Sequence, residues 1–489
     1  MKISLSLAAG GLAALAAVNP AAASSVEQAL SEYEGHDPVY KAETLAYSPA
    51  PNYSGAPSLT PLTRQSVQGT LDDETYKTRH LWLWQRLSKR TVNESLIHEA
   101  TVVKESGTES IDPFFNEGGL GAFSEAEFDR IFTQAKFVSE NIEVPDTAAV
   151  IKGGFDGGAS VLETRTRLGI KHLLGRMERW LIEGDSGVST LQIDGFRKAI
   201  LARGVVKDMK GNAPTTEAIE DVVGELQSDG RFALDLEAFT DPRVKRVLTT
   251  LDAAAGRYPK DRGGVVSRIG GPSDVLLTTE YGDAPVYSMP LIGMPDGFSL
   301  VEVGQGPPAG TPVVIGAPSV GAATGSRFYA GDVGEYDYVF VPVGDKGTGA
   351  PIYVNNVTVG SAGDAPTFTP GDTAKSMAKN TNGMYRYWRV YRTEPDKTSL
   401  GYIGQFARAG VGTNTTWTDL NHRRPFKRPI FIGQFDEECL LWVQVMEMIR
   451  RPLAQVQSSI PFMLQLWGNL FFKQPQKWGI IENCAVRVT

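Results

Sequence analysis

The segment from Thr416 to the C-terminus most constrains how this chain can fold. It runs TWTDLN from Thr416 to Asn421 and RRPLAQVQSSIPFMLQLWGNLFF from Arg450 to Phe472, then reaches Gln476-Lys477-Trp478. Aromatic and apolar side chains crowd this stretch, yet Arg450, Arg451 and Lys473 place charge inside it. A surface of that kind is built to be covered, because a large apolar patch left in water is unfavourable. The order of signals reads as a strand at Pro429 to Phe435, a helix at Glu437 to Met448, a second apolar run and a Lys-Trp strand.

With 489 residues the chain exceeds one ordinary core, so two or three domains are expected, and the 42% hydrophobic content is enough to fill them. Charged residues make up only 21%, while 52 glycines and 29 prolines favour short strands and turns over a helical bundle. A net charge of -8 argues against a nucleic-acid-binding role, which needs clustered Lys and Arg. The two cysteines, Cys439 and Cys484, cannot form a disulfide framework and sit in apolar surroundings suited to reduced, buried thiols.

The catalytic candidates are thin. Gly184-Asp185-Ser186-Gly187 matches the tetrapeptide around a serine-protease nucleophile, but it ends a helical pattern, Val188 follows it, and His172 lies on the same helix. A helix stop and turn explains the string. The five histidines (His36, His80, His98, His172 and His422) show no paired-ligand spacing, and there is no C-x-x-C, so no metal is expected. Gly304-Gln305-Gly306 is followed by Pro307 and Pro308, which block a phosphate-binding helix start. The expectation is no cofactor and no enzymatic activity.

The N-terminus supports two readings. Lys2, the apolar run Ile3 to Val18 and Ala21-Ala22-Ala23 have the form of a secretory signal peptide; in an intracellular assembly the same run would be an N-terminal arm. Sequons at Asn52, Asn93, Asn356 and Asn414 matter only for the exported reading. Ser24 to Leu71 lacks periodicity and reads as an extended arm. Strand character from Leu81 to Lys104, a Gly-rich polar stretch from Glu105 to Glu125, and strand character again from Phe128 to Ile142 predict a long hairpin with a broad tip.

Gly158 to Glu183 carries apolar residues near helical spacing, with Arg165, Arg167, Lys171, Arg176 and Arg179 on the opposite face, and stops at Gly184. Thr215 to Gln227 and Pro242 to Ala255 read as amphipathic helices, the second with Asp241 as N-cap. From Thr311 to Asn421 alternation at Tyr336, Tyr338 and Phe340, and at Tyr385, Tyr387, Arg389 and Tyr391, predicts an antiparallel β-sandwich.

The closing segment, together with HLLGRMERWLIEGDS leading into LQIDGFRKAI over Lys171 to Ile200 and a weaker match over Thr78 to Val150, resembles the major capsid proteins of large tailed phages of the Bacillus and Listeria myovirus group. That resemblance implies an α+β, Hong Kong 97-like fold: an N-terminal arm over 1–77, an extended loop with flanking strands over 78–150, a peripheral domain with a spine helix over 151–200 and an axial domain over 201–310. An inserted immunoglobulin-like β-sandwich would occupy 311–421 and the rest of the main domain 422–489. It also implies a strand within LQIDGFRKAI, and self-assembly into hexamers and pentamers of a virion shell built in the host cytoplasm. Scaffold, portal and possible decoration proteins would be partners, with double-stranded DNA enclosed non-specifically and no membrane involved. Candidate contacts between copies are Trp82, Trp84, Phe115, Trp180, Trp442, Trp467 and Trp478; the competing role for each tryptophan is its own chain's core. The alternatives are a secreted or periplasmic binding protein with a β-sandwich module, an exported serine hydrolase resting on Gly184 to Gly187, and an encapsulin-like compartment.

Overall fold

A strand that enters the middle of a sheet commits that sheet to waiting for it, and here the entering strand is the last one in the chain. The computed structural model describes residues 78–92, 94–105, 114, 123, 125–146, 161–228, 231–254, 276–279, 282–292, 315–344, 347–348, 351–370, 385–395, 397, 400–408, 416–455 and 458–486. The arm expected over 1–77 and the contact candidate Phe115 lie outside the described residues.

In chain order the first half contains α1 (Trp82–Arg86), β1 (Lys89–Thr91), β2 (Ile97–Glu105), β3 (Glu127–Gln134), β4 (Lys136–Pro145), α2 (Val161–Glu183), α3 (Phe196–Arg203), β5 (Val205–Asp208), α4 (Thr216–Gln227), β6 (Leu236–Thr240), α5 (Pro242–Ala254), β7 (Leu276–Thr279) and β8 (Gly282–Ser288). Then come β9 (Ser319–Ala322), β10 (Gly334–Gly344), β11 (Gly347–Thr348), β12 (Ile352–Val359), β13 (Asp364–Phe368), β14 (Tyr385–Thr393), β15 (Leu400–Ala407) and β16 (Trp417–Thr418). The chain closes with β17 (Arg428–Gln434), β18 (Leu440–Pro452), β19 (Ser459–Phe472) and β20 (Trp478–Cys484).

A mixed six-stranded sheet in the order β5-β20-β17-β6-β8-β7 forms the centre. Alternation along β17 divides its two faces. Ile430 and Ile432 point to one side, where α4 supplies Ile219, Val222 and Leu226 and α5 supplies Val244 and Leu248. Phe431 points to the other, among Phe196 and Ile200 of α3, Met177 and Leu181 of α2, and Phe239 and Trp478. The Thr215 hydroxyl accepts the Ala218 N–H at 3.2 Å, and Asp241 Oδ1 accepts the Arg243 N–H at 2.8 Å, so both helices start where their capping residues stand.

A second sheet, β1-β18-β19-β4, has α2 on one face. The stripe Gly169, Leu173, Met177, Leu181 repeats every fourth residue and is buried. At Gly169 the helix comes so close to the sheet that a Cβ would stand 2.1 Å from Ile142 Cδ1. The helix has 23 residues, a rod of about 34 Å.

Residues 315–418 contribute two further sheets, β11-β10-β14-β15 with β12 also on β10, and β16-β13-β9, in which every ladder is antiparallel. They enclose a core of Phe328, Tyr336, Tyr338, Phe340, Val357, Phe368, Trp388 and Phe406. This two-sheet module separates β8 from β17 in sequence, while β17 and β20 complete the sheet that β5, β6 and β8 belong to.

Three elements differ from the sequence expectation. The helix expected at Glu437 to Met448 is the strand β18, because Leu440 to Val443 are covered on both faces of their sheet and lose the period-two signal. No strand forms at the apolar-Asp-Gly stretch of LQIDGFRKAI: Ile193 to Gly195 lead directly into the helix α3, whose Phe196 and Ile200 meet the core four residues apart. The strand-like stretch from Leu81 opens with α1 before β1 begins.

Two glycines make room for the tryptophans of the closing segment. A Cβ on Gly433 would lie 2.2 Å from Trp478 Cδ2, and one on Gly468 would lie 2.7 Å from Trp442 Cζ2. Gly433→Ala is therefore expected to lower the unfolding free energy by about 1–3 kcal/mol, measured by chemical denaturation, whereas Gly404→Ala, where nothing lies within 4 Å of the new methyl, is expected to leave it unchanged or slightly raised.

Candidate assembly surface

Strands β2 and β3 form a two-stranded antiparallel hairpin whose register places Val103 opposite Phe128, Thr101 opposite Arg130, Glu99 opposite Phe132 and Ile97 opposite Gln134. All eight of these residues are on one face and exposed. Phe128 is 62% exposed, Phe132 71%, Val103 54% and Ile97 48%, so both ends of this face are apolar. Between them Glu99 and Arg130 approach to 3.5 Å, a solvated pair worth little to stability. An isolated pair of strands is marginal in water, and here the opposite face supplies the anchor. Ala100 and Ile131 pack on Leu441, Val443 and Phe471, while Asn469 Nδ2 donates to Thr133 Oγ1 at 2.8 Å and to the Gln134 carbonyl at 2.9 Å. The hairpin is thus pinned from beneath and bare above. Between the two strands in sequence, Phe114 and Phe123 are 87% and 89% exposed.

The aromatic residues singled out from sequence divide by burial. Trp442 and Trp478 are 0% exposed and belong to the chain's own core, so neither presents a ring to a neighbouring molecule. Trp82 is half-buried, stacked on Tyr287 at 4.7 Å, and Trp84 meets Trp442 edge-on at 5.2 Å. Trp180 meets Tyr387 edge-on at 6.5 Å, joining α2 to the two-sheet module. Trp467 stands opposite Phe137 across the β19–β4 ladder at 5.2 Å, under the Arg451 guanidinium at 5.1 Å, and Phe137 is 61% exposed. The outward pair Phe128 and Phe132 was not singled out from sequence; its signal was the alternation of EFDRIFTQ, in which both faces of β3 carry aromatic or aliphatic residues.

One carboxylate ties α1 to α2. Glu178 is buried, and its two oxygens accept the backbone N–H groups of Leu83 and Trp84, each at 2.8 Å. Burial lifts this carboxyl to about 7, against the pull of those two donors. At the far end of α2, Ser186 is fully engaged in a turn. Its hydroxyl accepts from Lys198 Nζ at 2.8 Å, and Lys198 also binds Asp194 and Asp185 at 2.8 Å. Burial works to lower the Lys198 value, but the two carboxylates hold it above the ordinary one, so this ammonium keeps its proton and offers Ser186 no base.

The two-sheet module is seated on the body by charge. Arg423 binds Glu183 of α2 at 2.6 Å, and Arg424 makes a two-pronged contact with Asp332 at 2.5 and 2.6 Å. Buried Arg392 meets Asp419 and, at 2.6 Å, Asn421. Asn483 of the body accepts the Arg424 N–H at 2.9 Å. Among the described residues no group of three His, Cys, Asp or Glu is placed to hold a metal ion, and no helix is long and apolar enough to cross a membrane.

No family model matches the sequence. Over 158 residues the chain is 29% identical to the putative major capsid protein of Enterococcus phage phiEF24C, covering 30% of this chain and 31% of that protein. Over 118 residues it is 25% identical to the major capsid protein of Staphylococcus phage K, covering 23% of this chain and 26% of that one. The aligned stretch spans less than a third of these relatives' own length. Among solved structures, the capsid of the native GTA particle matches 89% of this chain and 100% of that chain at a TM-score of 0.47 and 9% identity. The structure described as Gordonia phage Cozz matches 89% and 98% at 0.44 and 10%. The sequence similarity is to bacteriophage major capsid proteins.

The Glu178 clasp makes a prediction about stability. Its folded-state value stands above the ordinary 4.5, so folding takes up a proton here; the contribution is complete below pH 4.5 and is lost as pH rises through about 7. Denaturation series from about pH 4 to about pH 8 are expected to show wild type losing about 3 kcal/mol more than Glu178→Ala over this window. At the acid end Glu178→Ala, which strands two N–H groups, is expected to be less stable by about 2–4 kcal/mol.

Proposed function

We propose that this chain is the major capsid protein of a bacteriophage, a structural subunit without catalytic activity that joins copies of itself into hexamers and pentamers of an icosahedral shell around double-stranded DNA. The observation that carries the reading is the β2–β3 hairpin, whose inner face is pinned to the body and whose outer face leaves Phe128 and Phe132 uncovered. A lone chain gains nothing from two exposed phenylalanines on a raised pair of strands, whereas a neighbouring copy that covers them gains about 1.5–3 kcal/mol for each ring fully buried. The sequence similarity to phage capsid proteins supports the same conclusion. Repeating one set of patches by symmetry closes a container, and many modest contacts acting together make it durable.

In this reading the polypeptide has a Hong Kong 97-like body, with β2–β3 as the extended loop, α2 as the spine helix and residues 311–421 as an immunoglobulin-like insertion. Of the tryptophans named as contact candidates, Trp82, Trp84, Trp180 and Trp467 keep surface to offer a neighbour. The protein belongs to the virion and is assembled in the host cytoplasm with scaffold and portal proteins. A net charge of -8 gives no electrostatic grip on phosphate, so contact with the enclosed genome is non-specific.

The purified chain is expected to form capsomers or closed particles, seen by negative-stain electron microscopy and sedimentation. Phe128→Glu combined with Phe132→Glu is expected to keep the circular dichroism of the wild type and weaken association by about 100-fold or more. A wild type that remains a 52.9 kDa monomer at every concentration, or a double variant that assembles as well as wild type, overturns the proposal.

A further inference from the structure

The strand β9 is the open edge of its sheet: β13 pairs it on one side and no described strand lies on the other. All four of its residues, Ser319, Val320, Gly321 and Ala322, are exposed. Edge strands are ordinarily guarded by charge, proline or a bulge, because their bare N–H and C=O groups invite another strand. The SVGA strand has none of these.

The ladder settles which groups are bare. Val320 stands opposite Pro366, which has no N–H to give and whose carbonyl accepts the Asp419 N–H at 3.0 Å on the far side of β13. The Val320–Pro366 pair is therefore not hydrogen-bonded, and the alternation of an antiparallel ladder makes Ser319–Thr367 and Gly321–Ala365 the bonded pairs. The same phase appears one step on, where the Ala323 N–H donates to the Gly363 carbonyl at 3.2 Å. Val320 and Ala322 consequently turn both their main-chain donors and both their acceptors outward.

That pattern is its own complement. We propose that β9 is a contact between copies of this chain, two β9 strands pairing antiparallel across a twofold axis so that the three-stranded sheets of two molecules become one. The only register that joins the outward groups of Val320 to those of Ala322 places Gly321 against Gly321 of the second copy at the axis. Val320 and Ala322 then exchange four hydrogen bonds with their mates. The central pair is of the non-hydrogen-bonded kind, in which Cα atoms approach to about 4.5 Å and side chains crowd most. Glycine removes that crowding, and its Cβ position has nothing within 4 Å. No residue in the strand is charged, so identical copies meet without repulsion. A heterologous strand would satisfy the same hydrogen bonds but has no reason to match this symmetry. The contact goes beyond the shell reading and depends on it only in requiring a second copy.

Disulfide trapping tests the register. Cys439 and Cys484 are buried and give no background. Mild oxidation of assembled Gly321→Cys is expected to yield a covalent dimer on a non-reducing gel, because the axial pair lies within the roughly 4.4–6.8 Å span that a disulfide bridges. Ser319→Cys alone is expected to give none, its mate being about 14 Å away, whereas Ser319→Cys together with Ala323→Cys is expected to cross-link. Adding Val320→Pro to Gly321→Cys removes an outward N–H that β13 does not use, and is expected to abolish the dimer. Particles in which Gly321→Cys stays uncross-linked overturn this contact and leave the shell proposal standing; a Gly321→Cys dimer without particles does the reverse. Equal cross-linking at Ser319 and Gly321, a cross-link to a different protein, or an unreacted monomer also overturns it.

Discussion

The fold depends on burying the aromatic rings that the last strand brings to the centre of the six-stranded sheet. β20 lies between β5, with which it is parallel, and β17, with which it is antiparallel. Trp478 at its start meets Phe196 at 5.1 Å, Phe435 at 4.7 Å and Phe472 at 5.7 Å, and Phe239 stacks on Phe431 at 4.7 Å across the β6–β17 ladder. Until β17 and β20 arrive, nothing bridges β5 to β6 and the inner faces of α3 and α4 have little to cover. Such pairing of distant segments is slow to form because loop closure precedes the gain from contact. It also places the two-sheet module within one covalent loop of the body, between β8 and β17.

Charge fixes that module alongside the Trp180–Tyr387 ring contact. Glu183, Asp332 and Asp419 each meet an arginine, and all three carboxylates are largely shielded from water. Taking ions out of water is costly, and such pairs stabilise little unless their geometry and remaining hydrogen bonds are good. Here they are: the Arg424 contact is two-pronged, and Asp419 also accepts from Tyr338 at 2.9 Å and from the Asn421 N–H at 2.9 Å. The physical consequence is orientation. Ion pairs that must be satisfied together allow one seating of the module on α2 and β20. If β9 joins two copies, that seating also sets the direction in which the joint points.

Much of the fold was legible in the chain because local rules agreed with global ones. The apolar stripe and stop of α2, the Asp241 cap of α5, the alternation in β10 and β14 and the paired strands β2 and β3 all follow from spacing and turn chemistry. The candidate surface was legible only in outline. A hairpin was visible around residues 81–142, but not which of its faces the body covers, since β3 carries Phe128 and Phe132 on one side and Ile131 on the other. The tryptophans misled in proportion to their size: Trp442 and Trp478 looked like contact residues, yet facing glycines receive both inside the chain. β18 hides its strand character because a strand covered on both faces has no alternation left in its sequence.

By itself the sequence determined the stripe and stop of the long helix and the alternation of several strands, that the architecture would mix helices with many strands, and that no catalytic or metal-ligating constellation was spelled out at recognisable spacing. Those properties reside in propensity, capping and period, which act over a few residues. Tertiary structure alone decided that the closing strands return to the centre of a sheet begun by β5, β6 and β8, that Glu178 clasps α1, and that Val320 and Ala322 face outward from the edge. Each of these depends on a partner far away in the chain, and pairing at that distance is selected by the joint burial and hydrogen-bond satisfaction of both partners, which no single segment encodes.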